Sequence, residues 1–160
     1  MLDFMRTIVM TIKPELIVQT GARNGVTAIW LAEGLKINGI GVLVACESDK
    51  AFWQEARTRT QNSSVAEWIQ LSNHSGVELK VKGQIDLLFL NSDASLREAE
   101  LRSFLPQLNP NGLILMSNAN SDLNTVRQIA SRLEAQGLIS VVLLSTPSGL
   151  VVAQKRAGRI

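Results

Sequence analysis

The stretch from Leu16 to Leu35 constrains the fold more than any other part of the sequence. Its first residues, Leu16 to Val18, are apolar and partly β-branched, which is typical of a strand buried on both faces. From Val26 onward the apolar residues recur at helical spacing instead. Gly21 and Gly25 separate the two patterns. We therefore predict a strand that passes through a glycine turn into a helix.

A strand-turn-helix junction of this kind presents main-chain N–H groups at the start of the helix. These groups and the helix dipole favour a negative or strongly polar ligand group, and glycines let such a ligand approach the main chain closely. Asn24 is a candidate N-cap for the helix. The alternative is that Gly21 and Gly25 only make a tight turn, which is the usual role of glycine at such a junction.

The length and composition predict one globular domain. The 160 residues are enough to bury a core without metals or disulfides. Apolar residues make up 46% and charged residues 19%, which is an ordinary balance and argues against disorder. We predict a single domain over 1–160, with an N-terminal helix in 1–13 and a basic tail in 155–160.

The same composition argues against several kinds of protein. No apolar run reaches the roughly 20 residues that a membrane span needs, and residues 1–13 lack the features of a secretory signal. The single cysteine, Cys46, excludes an internal disulfide and is expected to be a packed thiol in a cytoplasmic protein. A net charge of +2 is too small to indicate a nucleic-acid partner.

Hydrophobic periodicity and turn residues predict alternating helices and strands along the whole chain. In chain order the predicted elements are helix Leu2–Ile12, strand Leu16–Val18, a helix from Val26 that ends within 34–39, strand Val42–Cys46, a helix capped by Ser48 or Asp49 and passing Ala56, a weak strand near Trp68–Leu71, a turn of helix in Val77–Val81, strand Ile85–Leu90, a helix with inner face Leu101, Leu105 and Leu108, strand Leu113–Met116, a helix through Leu123, Val126, Ala130 and Leu133, and strands Leu138–Leu144 and Leu150–Ala153.

This alternation predicts an α/β fold with a mostly parallel sheet and helices on both faces. The connection Thr146–Gly149 is too short for a crossover, so the last two strands are expected to form an antiparallel hairpin. Two local signals are also clear. Ser95 and Glu98 have the spacing of a capping box, and Asn109–Gly112 has the residues of a tight turn.

The segment Gln19–Thr27, read Gln-Thr-Gly-Ala-Arg-Asn-Gly-Val-Thr, resembles a motif of class I S-adenosylmethionine-dependent methyltransferases. The small O-methyltransferase-like branch of that family has acidic-x-Gly-x-Arg-x-Gly-x-Ser at this point. Pro110–Gly112 is similar to the family's Pro-Gly-Gly, and the terminal hairpin is similar to its reversed seventh strand. The resemblance implies a Rossmann-like, seven-stranded sheet. A nicotinamide-binding fold is disfavoured, because it calls for Gly-x-Gly-x-x-Gly and a parallel last strand.

The resemblance also implies a cofactor, S-adenosylmethionine, and residues that bind it. Glu47 matches the family's acidic residue that binds the ribose hydroxyls, and a carboxylate can accept two hydrogen bonds from a vicinal diol. The turn would hold the methionine part, and the loop at Asn73 would lie by the adenine. The candidate cofactor-binding residues are Gln19, Gly21, Arg23, Asn24, Gly25, Glu47, Asn73 and Asn91.

Two departures from the family bear on activity. Gln19 stands where the family has an acidic residue, so its hydrogen bond to the cofactor would lose charge assistance. Asn91, Ser117 and Asn118 stand where cation-dependent members have Asp, Asp and Asn around magnesium. Asp93 is a potential substitute for Asn91, but magnesium prefers anionic oxygen ligands. We therefore predict no catalytic metal.

Methyl transfer to a hydroxyl is helped by a general base. Asp93 and His74 are the candidates, since both are expected near the carboxyl ends of strands. The alternatives are that Asp93 only caps a helix and that His74 is only an exposed loop residue. Trp30, Trp53 and Trp68 are expected to pack in the core or at its rim.

The predicted function is methyl transfer from S-adenosylmethionine to an oxygen of a small-molecule acceptor. The first alternative is a non-catalytic relative that binds a nucleotide-like ligand or a partner chain, which the changes at Gln19, Asn91 and Ser117 favour. The second is a methyltransferase acting on nucleic acid or protein, for which the sequence pI of 9.0 speaks. Members of the family that the chain resembles usually have a longer N-terminal segment or an insertion that covers the acceptor, whereas few residues precede the first strand here. We therefore expect an acceptor site that is open to a large substrate, completed by a second subunit of a homo-oligomer, or not functional.

Overall fold

A computed structural model describes residues 1–120 and 125–156 of the chain. The helices are α1 (Leu2–Ile12), α2 (Val26–Asn38), α3 (Lys50–Gln61), α4 (Ala94–Phe104) and α5 (Thr125–Ala135). The strands are β1 (Leu16–Thr20), β2 (Val42–Cys46), β3 (Ile69–Ser72), β4 (Ile85–Leu90), β5 (Leu108–Ser117), β6 (Ile139–Leu144) and β7 (Leu150–Lys155). Short 3₁₀ turns at Ala66–Trp68 and Leu105–Gln107 precede β3 and β5.

The seven strands form one mixed sheet in the order β3-β2-β1-β4-β5-β7-β6. Pairing is parallel between β1 and β2, β2 and β3, and β4 and β5. Strand β7 runs antiparallel to both β5 and β6. The predicted Rossmann-like class, with a mostly parallel sheet, flanking helices and an antiparallel C-terminal hairpin, is confirmed. By its internal contacts the chain divides into two compact units, residues 1–83 and 84–160.

In the first unit, α1 packs closely on α2 at a glycine. A Cβ on Gly34 would lie 2.7 Å from the Val9 side chain and 3.1 Å from the Arg6 carbonyl oxygen, so no larger residue fits there without movement. Met5 and Val9 form the buried face of α1. The helix ends at Lys13, which adopts a left-handed conformation (φ 50°) before Pro14.

The strands of the first unit carry its core. All five residues of β1 are buried, as predicted. Strand β2 has the predicted bounds but is buried on one face only, because Val42 and Val44 are half-exposed. Cys46 is a buried free thiol, as predicted. The tryptophans are half-buried, and the guanidinium groups of Arg6 and Arg57 stack over Trp30 and Trp53.

The connection between β3 and β4 contains one hydrogen-bonded turn. The N–H groups of Glu78 and Leu79 both donate to the Ser75 carbonyl at 3.1 Å. The turn predicted for Val77–Val81 therefore starts two residues earlier. It stops after one turn, since residues 79–82 are not helical.

In the second unit, the predicted turn at Asn109–Gly112 lies inside a strand. Ile85 pairs with Leu108 but Leu87 pairs with Leu113, so β5 bulges by several residues against β4. Asn111 has φ 66°, and a Cβ on Gly112 would lie 2.8 Å from Leu108 Cγ. The turn residues were predicted correctly, but the ten-residue strand around them was not.

The predicted capping box of α4 is wrong. Asp93 is the N-cap, without a side-chain capping bond, and Ser95 lies inside the first turn. Glu98 instead forms ion pairs with Arg102 (3.0 Å) and Arg132 (3.2 Å). The predicted inner face is also wrong beyond Leu101, because Leu105 belongs to the 3₁₀ turn and Leu108 to β5. The face that α4 buries is Arg97, Glu100, Leu101 and Phe104.

The C-terminal part follows the prediction with one correction. Helix α5 buries Val126, Ala130 and Leu133 as expected, and Leu123 lies outside the described residues. Lys155 is not part of a basic tail. It is the last residue of β7, and its Nζ donates to the Leu105 and Leu108 carbonyls at 2.9 and 2.6 Å. No helix in the described part of the chain is long and apolar enough to span a membrane.

Candidate functional site

The turn after β1 depends on three residues with positive φ. Gly21 (65°), Arg23 (49°) and Gly25 (83°) alternate with residues of ordinary conformation. Glycine adopts this region without steric cost, whereas an arginine there is strained. The turn is closed by the Gly25 N–H, which donates to the Ala22 carbonyl at 2.9 Å. The Ala22 N–H donates to the Cys46 carbonyl at 3.0 Å, which ties the turn to the end of β2.

Gly25 serves helix packing as well as the turn. A Cβ at this position would lie 3.0 Å from Ala56 Cα, so the missing Cβ permits α2 to start directly against α3. Gly25 is also the N-cap residue of α2, and the prediction that Asn24 caps the helix is wrong. Asn24 Oδ1 accepts only a long bond of 3.4 Å from the Val26 N–H.

Glu47 joins the turn to the end of the neighbouring strand. Its Oε2 accepts from the Arg23 N–H at 2.7 Å, and its Oε1 accepts from the Asp49 N–H at 2.9 Å. The residue is only 6% exposed. Two main-chain N–H groups therefore fix the orientation of the carboxylate, and such charge-assisted bonds are among the stronger hydrogen bonds in proteins. The predicted proximity of the turn and the β2 end is confirmed.

At this turn, the group available to a ligand is the oriented Glu47 carboxylate rather than a set of free main-chain N–H groups. The N–H groups of Ala22, Arg23 and Gly25 are all used inside the first unit. The expectation that these amides point at a ligand is therefore wrong for these three. A carboxylate has about four lone-pair positions, and Glu47 uses two of them on the bonds from Arg23 and Asp49.

The side chains around Glu47 form a rim. The Arg23 guanidinium stacks over the Phe52 ring at 4.9 Å from its centroid, which directs this exposed side chain toward the start of α3. Asp49 caps α3 by accepting from the Phe52 N–H at 2.9 Å, as predicted. Asn73 Nδ2 donates to the Glu47 carbonyl oxygen at 2.7 Å. Asn73 thus lies beside Glu47.

Gln19 carries an unsatisfied acceptor. The residue is completely buried, and its Nε2 donates to Thr27 Oγ1 at 2.7 Å. Its Oε1 is buried and has no hydrogen-bond partner among the described residues. Leaving a buried acceptor unpaired costs about 1–3 kcal/mol, so a donor is expected to complete this group.

His74 lies on the wall of a cleft in the first unit. The cleft has a volume of about 380 Å³, and its other polar wall residues include Gln70, Ser72, Glu78 and Lys80. Hydrogen bonds from the Ser75 hydroxyl and N–H hold the pKa of Glu78 below its ordinary value, and His74 adds a smaller effect of the same sign. His74 itself is exposed.

The remaining predicted residues lie in the second unit. Asn91 Oδ1 accepts a hydrogen bond from Ser117 Oγ, so the end of β4 is joined to the end of β5. Asp93 is exposed and its side chain makes no capping bond. Asn118 is exposed and has φ 54°. No cluster of three or more His, Cys, Asp or Glu side chains suited to a metal occurs in residues 1–120 and 125–156.

Arg97 and Glu100 were missed by the sequence analysis. They are 2% and 1% exposed, and both contact the chain after β4. The signal that could have found them is helical spacing, because Arg97 and Glu100 share the face of Leu101 and Phe104. The predicted inner face named only leucines, so these two charged residues were not considered.

A family model of the methyltransferase domain matches residues 18–119, which is more than half of the chain. The chain belongs to this methyltransferase domain family. The matched segment of the methyltransferase domain includes the β1 turn, Glu47, Asn73 and the ends of β4 and β5. No curated protein matches the chain in sequence.

Solved structures share the fold of this methyltransferase domain. The O-methyltransferase from Bacillus cereus in complex with S-adenosylhomocysteine is 19% identical, with a TM-score of 0.84 over 97% of this chain and 80% of that one. The O-methyltransferase TomG from Streptomyces achromogenes, in complex with S-adenosylmethionine, is 16% identical, with a TM-score of 0.85 over 98% and 79%. The S-adenosylhomocysteine-bound methyltransferase PaMTH1 from Podospora anserina is 18% identical, with a TM-score of 0.85 over 96% and 77%.

Proposed function

We propose that this protein transfers a methyl group from S-adenosylmethionine to an oxygen of a small molecule, without a metal ion. The family match and the cofactors named for the similar structures support methyl transfer. The observation that carries the proposal is the Glu47 carboxylate, which the N–H groups of Arg23 and Asp49 hold at the end of β2.

The residues of the first unit fit the groups of this cofactor. The free lone pairs of Glu47 suit the two ribose hydroxyls, which are donors. The unpartnered Oε1 of Gln19 has the chemistry to bind the cofactor's ammonium group, but it is completely buried, so the covering residues would have to move for this contact to form. A neutral amide also binds a cation less strongly than a carboxylate does. Asn73, which bonds the main chain at Glu47, places the loop after β3 beside the same carboxylate.

The reaction asks the protein mainly to position the acceptor. When bound, the cofactor supplies a methyl group on a sulfonium, which is already a good leaving group. The protein then needs to align the acceptor oxygen and to accept its proton. His74 and Asp93 remain the proposed bases. Both side chains are exposed, and the Asp93 carboxylate makes no capping bond to α4.

Several further properties belong to the same proposal. We propose that the two units form one methyltransferase domain, since the family match extends across both. A cytoplasmic location is supported by the single buried thiol, Cys46. A homo-oligomer in which a second subunit covers the acceptor remains one proposed arrangement, which light scattering would test.

Calorimetric titration with S-adenosylhomocysteine tests the proposal. We expect the wild-type protein to bind and Glu47→Gln to bind at least about tenfold more weakly, because hydrogen bonds to a charged group contribute about 1.5–3 kcal/mol. Glu55→Gln is the matched control, since Glu55 is an exposed residue of α3 that forms an ion pair with Arg59 at 3.2 Å. This control is expected to bind like the wild type.

Absence of binding at millimolar cofactor would contradict the proposal. Glu47→Gln would then change nothing, and the protein would be a non-catalytic relative. Salt-sensitive binding of RNA or DNA would favour a macromolecular acceptor instead. The bonds of Lys155 to the Leu105 and Leu108 carbonyls argue against that reading, because they take this lysine out of a phosphate-binding tail.

A further inference from the structure

Arg97 ties together the ends of two parallel strands. Its Nε and Nη2 donate to the Ser92 carbonyl at 2.8 and 2.6 Å, and its Nη1 donates to the Ser117 carbonyl. Ser92 follows β4, and Ser117 is the last residue of β5. The side chain is only 2% exposed. A single guanidinium therefore gathers main-chain oxygens from both strand ends.

A charge buried to this extent needs compensation. Isolated buried charges are strongly unfavourable, and a guanidinium remains charged at every pH at which proteins are folded. The carbonyl oxygens of Ser92 and Ser117 supply part of the compensation. Glu100, three residues later on the same helix, is 1% exposed and accepts from Ser92 Oγ at 2.6 Å. The two buried ionisable residues and Ser92 belong to one polar network.

Three oxygens at these strand ends already accept hydrogen bonds. The carbonyls of Ser92 and Ser117 accept from Arg97, and Asn91 Oδ1 accepts from Ser117 Oγ. A divalent cation placed there would have to take these oxygens from their present donors. It would also face the fixed positive charge of the guanidinium, which repels it at short range. The network is therefore closed to a metal ion.

We propose that Arg97 is a positioning residue that acts as a built-in cation at the ends of β4 and β5. Its guanidinium binds the carbonyl oxygens at the two strand ends, as a bound metal ion would. It thereby fixes the positions of Asn91, Ser117 and Asn118, whose side chains are uncharged. The functional part of this inference rests on the proposed methyl transfer, because ligands of open α/β sheets bind at strand carboxyl ends. The acceptor then meets amide and hydroxyl groups without a metal.

Rescue by guanidinium tests whether the cation itself is what the network requires. Arg97→Ala should lower Tm and leave a gap lined by the carbonyls of Ser92 and Ser117. Guanidinium chloride at about 50 mM should raise the Tm of this variant, because a ligand that binds the folded state stabilises it. The same salt should lower or leave unchanged the Tm of the wild type and of Arg102→Ala, an exposed arginine on the same helix. Equal responses of all three proteins would overturn the proposal.

A second pair of variants covers the case in which Arg97→Ala does not fold. Arg97→Lys keeps a positive charge, whereas Arg97→Met keeps a similar length without it. We expect Arg97→Lys to have the higher Tm and to keep the side-chain amide NMR signals of Asn91 and Asn118 closer to those of the wild type. An apolar residue often replaces a buried ion without loss of stability. A Tm of Arg97→Met equal to or above that of Arg97→Lys would therefore show that the positive charge is not required, and it would overturn the proposal.

Manganese alone probes the closed network directly. Titration of the wild type with MnCl₂ should show no binding at about 1 mM and no rise in Tm. Binding in the micromolar range that Asn91→Ala abolishes would overturn the proposal. These experiments use no cofactor, so their failure is distinct from failure of S-adenosylhomocysteine to bind, which alone would contradict the proposed methyl transfer.

Discussion

The β1 turn contacts a buried carboxylate, Glu47, and the ends of β4 and β5 surround a buried guanidinium, Arg97. The two charged groups differ in how their hydrogen-bonding capacity is used. In the first unit, main-chain N–H groups of Arg23 and Asp49 hold a carboxylate that keeps free lone pairs. In the second unit, a guanidinium uses its donors on the carbonyls of Ser92 and Ser117. Glu47 is an anchored group that can still accept, whereas Arg97 holds the backbone together. A charged group at a strand end is therefore a ligand site only if its hydrogen-bonding capacity is not used up inside the protein.

Removing the carboxylate of Glu100 should cause the largest loss of stability among these variants, and it tests the polar network around Arg97. Ser92 Oγ would lose its acceptor, and the charge of Arg97 would stay buried with one carboxylate fewer on its helix. We expect Glu100→Ala to lower the free energy of unfolding in urea by about 3 kcal/mol. Glu98→Ala is the control, since its ion pairs are more exposed and should contribute less than about 1 kcal/mol. Equal losses would show that the network around Arg97 is not special.

Gly25→Ala tests why the β1 turn requires a glycine where α2 starts against α3. The residue has φ 83°, and a Cβ would lie 3.0 Å from Ala56 Cα. We expect a loss of about 2–3 kcal/mol in urea unfolding, from left-handed strain and the contact with α3 together. Gly39→Ala is a matched control with φ 69° and nothing within 4 Å, and should cost only about 1 kcal/mol. If both variants lose the same amount, the close approach of α2 and α3 is not what requires glycine.

Gln19→Glu adds a negative charge near the end of β1, beside the turn that is proposed to bind the cofactor. A carboxylate would bind the cofactor's ammonium group with charge assistance, so the affinity for S-adenosylhomocysteine should rise about tenfold. The free protein should be less stable, because position 19 is completely buried. Calorimetry and Tm measure the two effects, with Gln61→Glu at the exposed end of α3 as the control. An unchanged or weaker affinity would show that this side chain does not face the cofactor.

Glu78→Gln should have the smallest effect, because this carboxylate is fully exposed. Its hydrogen bonds from Ser75 lower the pKa of Glu78 in the folded state. A lowered pKa means that the ionised form is stabilised, so the contribution is complete above the ordinary pKa of a glutamate and is lost as pH falls through the lowered value. The wild type should therefore have a slightly higher Tm than the variant near pH 7, and the difference should vanish in acid. A difference that persists at pH 2 would contradict this origin.

The sequence predicted what short-range patterns determine. The bounds of β2 and β4 follow from short apolar runs, and those of α1 follow from helical spacing that ends before Pro14. The resemblance implied that the β1 turn and Glu47 bind the same cofactor, which requires the two strand ends to lie close together, as the structure shows. Side-chain chemistry predicted Ser48 or Asp49 as the cap of α3, and the structure shows that it is Asp49.

The missed features depend on contacts between distant residues. The Asn109–Gly112 residues specify a turn, but only pairing with β4 makes it a bulge inside β5. The capping box at Ser95 failed because Asp93 starts the helix two residues earlier. Arg97 was not singled out from the sequence, because the carbonyls that compensate its burial come from Ser92 and, twenty residues away, from Ser117. Periodicity predicts which face of a helix is buried, but it does not identify the groups that compensate a buried charge.

A crystal structure with S-adenosylhomocysteine is the most direct test of the claim that Glu47 receives the cofactor. We expect both ribose hydroxyls within hydrogen-bonding distance of the Glu47 carboxylate, with the bonds from the Arg23 and Asp49 N–H groups kept. A ligand bound elsewhere, or a Glu47 side chain that leaves these two N–H groups to make room for it, would contradict this role of Glu47.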